Sequence, residues 1–248
     1  MQAHHAAQSD RYEPARAKAN RLYARLREDI LTGRLPPGQA LSENLLAEEY
    51  RISRTPVREV FQRLIADDLL RVVPQIGSFV APINLAAVAD SQFVREALEC
   101  QAVRRAAAVM TPAHAAALAA QLAAQQQRVA AGDQHGFFAL DEAMHRAILE
   151  IAGHGTVWQV IAGVKAQLDR VRHLSLEDAG WLAMIFCQHQ DIVDRLGARD
   201  AEGAAQAMQQ HLRTVFAAAA RIAETHAAFF ESPAPDPASS AAARVASA

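Results

Sequence analysis

The 248-residue sequence has little of what a β-rich or disulfide-bonded protein needs. Aromatic residues make up only 6% of it, and runs of valine, isoleucine and threonine are few, which argues against an extended sheet. The two cysteines, Cys100 and Cys187, have neither metal-binding nor redox spacing, and both lie within apolar helical patterns. We therefore expect a mainly α protein with two buried, reduced thiols.

Strong charge and long apolar segments are also missing. The net charge of −2 gives no globally basic character of the kind that announces nucleic-acid binding. Residues 1–82 carry 12 Lys/Arg against 10 Asp/Glu, and the remainder carries 13 against 17, so only the first part leans positive. No apolar run approaches the length of a membrane span, and residues 1–14 lack the apolar core of a signal peptide. These features predict a soluble, cytoplasmic protein that has no membrane partner.

The most informative segment is RISRTPVREVFQRLI, residues 51–65. Ser53 can cap a helix there. Apolar residues recur every three or four positions after it and form one face: Val57, Val60, Phe61, Leu64 and Ile65. Arg54, Thr55 and Arg58 remain exposed near the start of the helix, where such side chains can contact DNA phosphates and base edges. Taken alone, the segment fits a DNA-recognition helix and an ordinary amphipathic helix equally well.

Two further helices precede this segment. The first is predicted over residues 15–32, and LPPGQALS follows it as a turn. Ser42 can then cap a short helix, ENLLAEEY, which has three residues that we expect to point inward: Leu45, Leu46 and Tyr50. A bend after this helix leads directly into the segment above. The two helices therefore form a helix-turn-helix pair.

A hairpin is predicted after the pair. The run DDLLRVVPQIGSFV, residues 67–80, indicates two short strands joined by a turn, which together form a wing. Gly77 lies at the tip of the wing, and because it has no side chain, the backbone there can approach the minor groove closely. Residues 15–82 therefore predict a winged helix-turn-helix DNA-binding domain.

The run from PPGQALS to QIGSFV resembles the winged-helix domain of the GntR family of bacterial transcription regulators. SRTPVRE is its most recognisable part, and the resemblance covers this whole first domain. It implies that Arg54 and Arg58 contact operator DNA and that Thr55 supports them. It also places Gly77 near the minor groove. Asn44 falls where the family often carries a further DNA-contacting residue, commonly arginine.

The rest of the chain shows only helical patterns. After a short linker at residues 81–84, six helices are predicted, at about residues 85–110, 112–131, 137–152, 156–174, 178–196 and 201–229. These helices would form an all-α bundle over residues 83–230. Residues 1–14 are polar and without pattern, and residues 231–248 are rich in proline and alanine, so we expect both ends to be disordered.

Four polar residues of the bundle stand among apolar neighbours. Asp141 and His145 are four positions apart on one helix, so they project from the same face. His189 and His211 lie on two later helices. If the bundle brings the four together, one carboxylate and three imidazoles would suit a zinc, nickel or manganese ion. Spacing alone fits histidines that are ordinary core residues as well.

Residues 85–229 resemble the all-helical effector domain of the FadR-type branch of the family, called the FCD domain. In its metal-binding members the ligands come from a D-x-x-x-H pair and two later histidines, a pattern that the four residues above match. VREALE, residues 94–99, resembles the start of these domains. It implies that Arg95 faces the effector cavity, where a guanidinium can bind a carboxylate. Arg172 is a second candidate ligand-binding residue. AGHGT, residues 152–156, departs from the Asn-Pro pair usual there.

Together the two resemblances imply a ligand-responsive DNA-binding transcription regulator. It would bind a pseudo-palindromic operator as a homodimer, because one recognition helix reads too few base pairs. A small organic acid would bridge Arg95 and a divalent metal, with zinc the first choice, and would release the protein from DNA, as in a repressor. Two alternatives stay open: a metal-dependent, hydrolase-like enzyme, and a regulator whose second domain is only a metal-free dimerisation bundle. Against the enzyme, the only acid beside the metal ligands, Glu142, lies about 100° around the helix from Asp141.

Overall fold

A computed structural model describes residues 14–176 and 178–231, so nearly all of both predicted disordered ends lies outside the described residues. The first part of the chain contains α1 (Ala15–Leu31), β1 (Ala40–Leu41), α2 (Glu43–Tyr50), α3 (Arg54–Ala66), β2 (Leu70–Val73) and β3 (Gly77–Val80). The second part contains α4 (Leu85–Val109), α5 (Pro112–Ala131), α6 (Gln134–Ile151), α7 (Val157–Val164), α8 (Ala166–Ser175), α9 (Ala179–Gly197) and α10 (Ala201–Thr225), followed by a 3₁₀ turn at Ala227–Phe229. The prediction of a mainly α fold is confirmed.

The predicted wing is present, with one strand more than the sequence indicates. β2 and β3 pair antiparallel, Leu70 opposite Val80 and Val73 opposite Gly77. β1 adds to the other edge of β3, with Ala40 opposite Phe79, so the strand order is β1-β3-β2. The prediction of a turn throughout LPPGQALS is therefore wrong at its end. A two-residue strand is too short to show the alternation by which strands are predicted.

α2 and α3 begin where their sequences predict, but not with the same caps. The hydroxyl of Ser42 accepts a hydrogen bond from the Leu45 amide at 3.4 Å, whereas the side chain of Ser53 makes no capping bond. Leu45 is 68% exposed, so the expectation that it points inward is wrong. Ala47, two residues later, is the buried residue of α2, and two residues correspond to about 200° around a helix.

The apolar face of α3 closes the core of the first part. Its buried residues pack with α1 and the wing, and they are Val57, Val60, Phe61 and Leu64. Ile65 is only half-buried beside them. Because this face is fixed against α1, the opposite side of α3 and its first turn are left to solvent.

The second part is a bundle in which α4 packs against α6, α8 and α10. The helix predicted over residues 156–174 is two helices, with Lys165 between them, so the described bundle has seven α-helices and not six. The hydroxyl of Ser91 donates to the Val164 carbonyl at 2.6 Å, which satisfies a group at the end of α7. Cys100 is buried, but Cys187 is exposed, contrary to expectation. No helix among the described residues is long and apolar enough to span a membrane.

Candidate metal centre and nucleic-acid interface

Three helices of the bundle bring the four predicted metal ligands together. Asp141 and His145 lie on α6, His189 on α9 and His211 on α10, and all four side chains are buried. One candidate ligand atom from each residue lies within 4.8 Å of the others. Each residue falls on the buried face of its helix because the apolar residues around it recur at helical spacing.

Three separations between candidate ligand atoms lie close to those expected around one ion. Nε2 of His145 is 3.2 Å from Nε2 of His211, and Nε2 of His189 is 3.2 Å from Oδ1 of Asp141. Oδ2 of Asp141 is 3.8 Å from Nε2 of His145. Ligand atoms bound tetrahedrally at about 2.1 Å from zinc lie about 3.4 Å from one another. The four side chains therefore need little movement to share a metal.

A second layer of side chains holds the three imidazoles. Each Nδ1 lies beside a side-chain oxygen: His145 with Glu99 at 2.5 Å, His189 with Gln125 at 2.8 Å and His211 with Gln188 at 3.1 Å. The first of these pairs is close but poorly aligned for a hydrogen bond. Since the partners are acceptors, Nδ1 is the protonated nitrogen and the Nε2 lone pairs face the centre. Nothing in the sequence marks Gln125; Gln188 directly precedes a ligand, and Glu99 lies four residues after Arg95.

This arrangement leaves the buried polar centre with too few hydrogen-bond donors. Two Nε2 acceptors facing each other at 3.2 Å repel unless a proton or a cation lies between them. Nε2 of His189 is fully buried and has no hydrogen-bond partner among the described residues. A buried polar atom without a partner is costly. The donor set and this unpaired nitrogen fit a bound divalent cation.

The electrostatic surroundings of Asp141, His189 and His211 hold these groups in the protonation states that metal binding requires. Burial lowers the pKa of His189, and burial with the two neighbouring imidazoles lowers that of His211 much further. Burial alone would raise the pKa of Asp141, but the Arg172 guanidinium beside it holds that pKa well below its ordinary value. At neutral pH these imidazoles are therefore neutral and the carboxylate is ionised, as in metal sites.

Both predicted ligand-binding arginines lie beside the centre. Arg172, on α8, donates to Asp141 and also to Oε1 of Glu142 at 2.6 Å. Arg95, on α4, is 2% exposed, and its Nε donates to Oε1 of Glu99 at 2.6 Å. Its Nη2 is buried and has no partner in the described parts of the chain. That nitrogen therefore lacks an acceptor for its hydrogen bonds.

Both arginines line a cavity of about 40 Å³. Trp181 supplies an apolar wall, and the other polar lining residues are Asp141, Ser175, His211 and Thr214. Such a volume holds about three water molecules. The cavity therefore lies beside a candidate metal site and two guanidinium groups, and it has room for a very small acid.

Glu142 is not placed to act as a base at this centre. Its carboxylate is bound by Arg172 and by Nζ of Lys165 at 2.7 Å. Arg172 lowers the pKa of Glu142 against the effect of burial, and Lys165 adds to this. A carboxylate held by two cations is a poor proton acceptor.

The predicted DNA-binding residues lie on the exposed side of the first part of the chain. Arg54, Thr55 and Arg58 are exposed in the first two turns of α3, and Asn44 is exposed in the first turn of α2. Gly77 begins β3 with a φ of 148°, a conformation that favours glycine. Contact of these five residues with DNA stays a prediction.

One partner of this surface is not evident from the sequence. Nε of Arg58 lies 3.6 Å from Oε2 of Glu43, while the Arg58 side chain remains 62% exposed. The pair joins the two helices of the helix-turn-helix motif. Because exposed ion pairs contribute little stability, Arg58 can exchange this carboxylate for DNA at small cost.

Similar proteins are found by sequence and by structure. The model described as bacterial regulatory proteins, gntR family, matches residues 18–80, and that of the FCD domain matches residues 90–214. An uncharacterised HTH-type transcriptional regulator of Streptomyces ambofaciens is 42% identical over 79% of this chain and 82% of its own length. The HTH-type transcriptional repressor RspR of Escherichia coli is 33% identical over 88% of this chain and 95% of its own. A putative GntR regulator structure from a Rhodococcus species aligns with a TM-score of 0.64 at 26% identity, covering 83% of this chain and 97% of that one.

These matches cover both parts of the chain in the order in which they occur here. They point to a DNA-binding transcription regulator and not to an enzyme. The chain belongs to the GntR family of bacterial transcription regulators, with an FCD domain following its helix-turn-helix domain.

Proposed function

We propose that this regulator is a repressor that binds its operator as a homodimer and senses a small carboxylate through a metal-containing FCD domain. The DNA-binding domain would comprise residues 15–82 and the effector and dimerisation domain residues 83–230. The observation that carries the proposal is the buried centre itself, in which three Nε2 atoms and one carboxylate converge while a side-chain oxygen lies beside every Nδ1.

Zinc is the best candidate for this centre. Three imidazoles and one carboxylate are donors that zinc takes readily, and nickel or manganese would use the same set. The four ligands would be Asp141, His145, His189 and His211. Once bound, the metal supplies a Lewis-acidic partner for a carboxylate oxygen. The glutamines and Glu99 behind the imidazoles keep the Nε2 atoms turned toward that position.

The effector would occupy the cavity between the arginines. The unpaired Nη2 of Arg95 would donate a hydrogen bond to one carboxylate, and Arg172, which also lines the cavity, adds positive charge. The small cavity favours acids with few non-hydrogen atoms. Nε of Arg95 is already paired with Glu99. The effector would bind at Nη2 of the same guanidinium and would leave this ion pair in place.

Operator binding would use two copies of the chain. One recognition helix contacts too few base pairs for a specific site, and two-fold operators are read by two-fold proteins. RspR, which matches nearly the full described chain, is named a repressor, and this supports repression here. The acid would then weaken operator binding by favouring a bundle arrangement in which the two recognition helices are wrongly spaced.

We expect small carboxylates to raise the melting temperature of the zinc-loaded protein. A ligand that binds only the folded state stabilises it by about 2.7 kcal/mol at 100 times its dissociation constant. The measurement is a thermal-shift screen of mono-, di- and tricarboxylates with zinc-loaded protein, repeated with Arg95→Gln. An effector of this cavity shifts the wild-type protein and shifts the variant much less. Equal shifts in both would place the acid elsewhere, and no shift with any acid would contradict carboxylate sensing.

A further inference from the structure

α8 lies between the candidate metal centre and the DNA-binding domain, and it presents a different set of residues to each. On the side toward α6 lie Arg172 and, directly before the first residue of α8, Lys165, and both pair with Glu142. Toward the first part of the chain it presents Gln167, Arg170 and Leu174. Successive residues of a helix are about 100° apart, so the two sets lie on opposite faces. A movement of one face is therefore also a movement of the other.

The face toward α6 is tied to a metal ligand. Arg172 donates to Asp141, to Glu142 and, at 3.1 Å, to Oδ1 of Asp169 on its own helix. Lys165 binds Glu142 at 2.7 Å and Asp169 at 2.5 Å. Any cation held by Asp141 shares this carboxylate with Arg172 and repels the positive charge of its guanidinium. The position of Arg172, and with it α8, should therefore depend on the occupancy of the centre.

The opposite face is tied to the end of the recognition helix. Nε2 of Gln167 donates to the carbonyl of Asp68 at 2.6 Å, two residues beyond the end of α3. Oε1 of Gln167 accepts from the Asn84 amide, at the start of α4, at 3.3 Å. One side chain thus connects α8 to the recognition helix and to the linker between the domains.

Arg170 supports this connection from a site that is unusual for a charge. It is 2% exposed, and its only hydrogen-bond partner among the described residues is Oε1 of Gln167 at 3.2 Å. No carboxylate pairs with it in the described parts of the chain. Its surroundings are the C-terminal end of α1, at Leu31 and Gly33, and apolar residues of the linker and of the last turn. Gln167 and Arg170 therefore meet beside the end of α1 and the linker, where the two domains touch.

We propose that Gln167 and Arg170 are positioning residues that couple the effector domain to the DNA-binding domain. A change at the metal centre would move Arg172 and therefore α8. Gln167, which Arg170 holds by a hydrogen bond, would transmit this movement to the end of α3. α8 is short and is separated from α7 at Lys165, so it can shift as a unit. The inference rests on the proposed metal centre, and its test separates the two.

The test is hydrogen exchange of the metal-free full-length protein with and without zinc. Coupling energies between linked sites usually correspond to fivefold effects or more, so zinc should change amide exchange at residues 27–36 and 64–71 by about fivefold. Gln167→Leu should bind zinc as the wild type does but lose the change in these two segments. Gln159→Leu makes the same chemical change at an exposed position of α7 and should behave as the wild type.

Zinc binding is measured by calorimetry on the same samples, so the possible failures are distinguishable. If the wild type does not bind zinc, the metal centre is wrong and the coupling proposal falls with it. If zinc binds but exchange in the DNA-binding domain does not change, or changes equally in Gln167→Leu, the coupling proposal alone is overturned. Arg170→Met, which removes the buried charge while keeping an unbranched side chain, should give the same loss and replaces Gln167→Leu if that variant does not fold.

Discussion

Replacing His189 with alanine is expected to remove zinc binding while leaving operator binding by the metal-free protein nearly unchanged. The side chain is fully buried, and its Nε2 lies 3.2 Å from a carboxylate oxygen of Asp141. Loss of a partner behind a metal ligand usually costs about 10- to 100-fold in affinity, and loss of the ligand itself should cost more than 100-fold. α9 packs on α4, α5 and α10, away from the recognition helix, so the DNA surface should remain intact.

Two variants control for effects other than the lost ligand. His154→Ala removes an exposed histidine in the turn before α7 and should bind zinc as the wild type does. His189→Gln fills most of the space that the alanine leaves empty, so its zinc affinity separates ligand loss from a packing defect. Calorimetry gives zinc affinity and fluorescence anisotropy gives operator affinity. If His189→Ala bound zinc with wild-type affinity, the proposed centre would be refuted. If the variant lost as much operator affinity as zinc affinity, the role of His189 would be structural.

Replacing Arg58 with alanine is expected to weaken specific operator binding by about 1 to 3 kcal/mol, the cost of losing a bidentate contact to a base. Arg58 is exposed in the first turns of α3, and its Glu43 partner at 3.6 Å is a surface carboxylate that it can release. Arg105→Ala removes an exposed charge from α4 and is the matched control. Affinities for operator and for random DNA are compared at one salt concentration.

The two DNA affinities also separate the roles that Arg58 can have. A base contact predicts a larger loss on operator than on random DNA, because only the operator carries the matching base. Equal losses would indicate a phosphate contact, and unchanged operator affinity would remove Arg58 from the interface.

The helix-turn-helix motif and the wing could be predicted because their signals are local. The cap at Ser42, the apolar period of α3 and the glycine at position 77 each depend on neighbours within a few residues. The break between α7 and α8 could not be predicted from local signals, because Lys165, where it occurs, is bound by Glu142 on another helix. The predicted burial of Leu45 and Cys187 is wrong for a related reason. The helical pattern shows which residues share a face, but the buried face is known only once the element that packs against the helix is known.

The candidate metal centre was predictable in part. The spacing of Asp141 and His145 places two ligands on one face, but only the family resemblance joins them to the two later histidines. The side chains behind the ligands had no such signal: Gln125 and His189 are 64 positions apart and meet only through the packing of α5 on α9. The same holds for Gln167 and Asp68, 99 positions apart, whose contact links the two domains.

We propose that Asp141, His145, His189 and His211 hold a metal in the protein as it is made. This is tested by elemental analysis of protein that was purified without an affinity tag, a chelator or added metal. We expect close to one equivalent of zinc, nickel or manganese per chain, because three buried imidazoles and an ionised carboxylate retain such ions. Less than about a tenth of an equivalent of any transition metal would contradict it and would leave the four residues as part of a polar core.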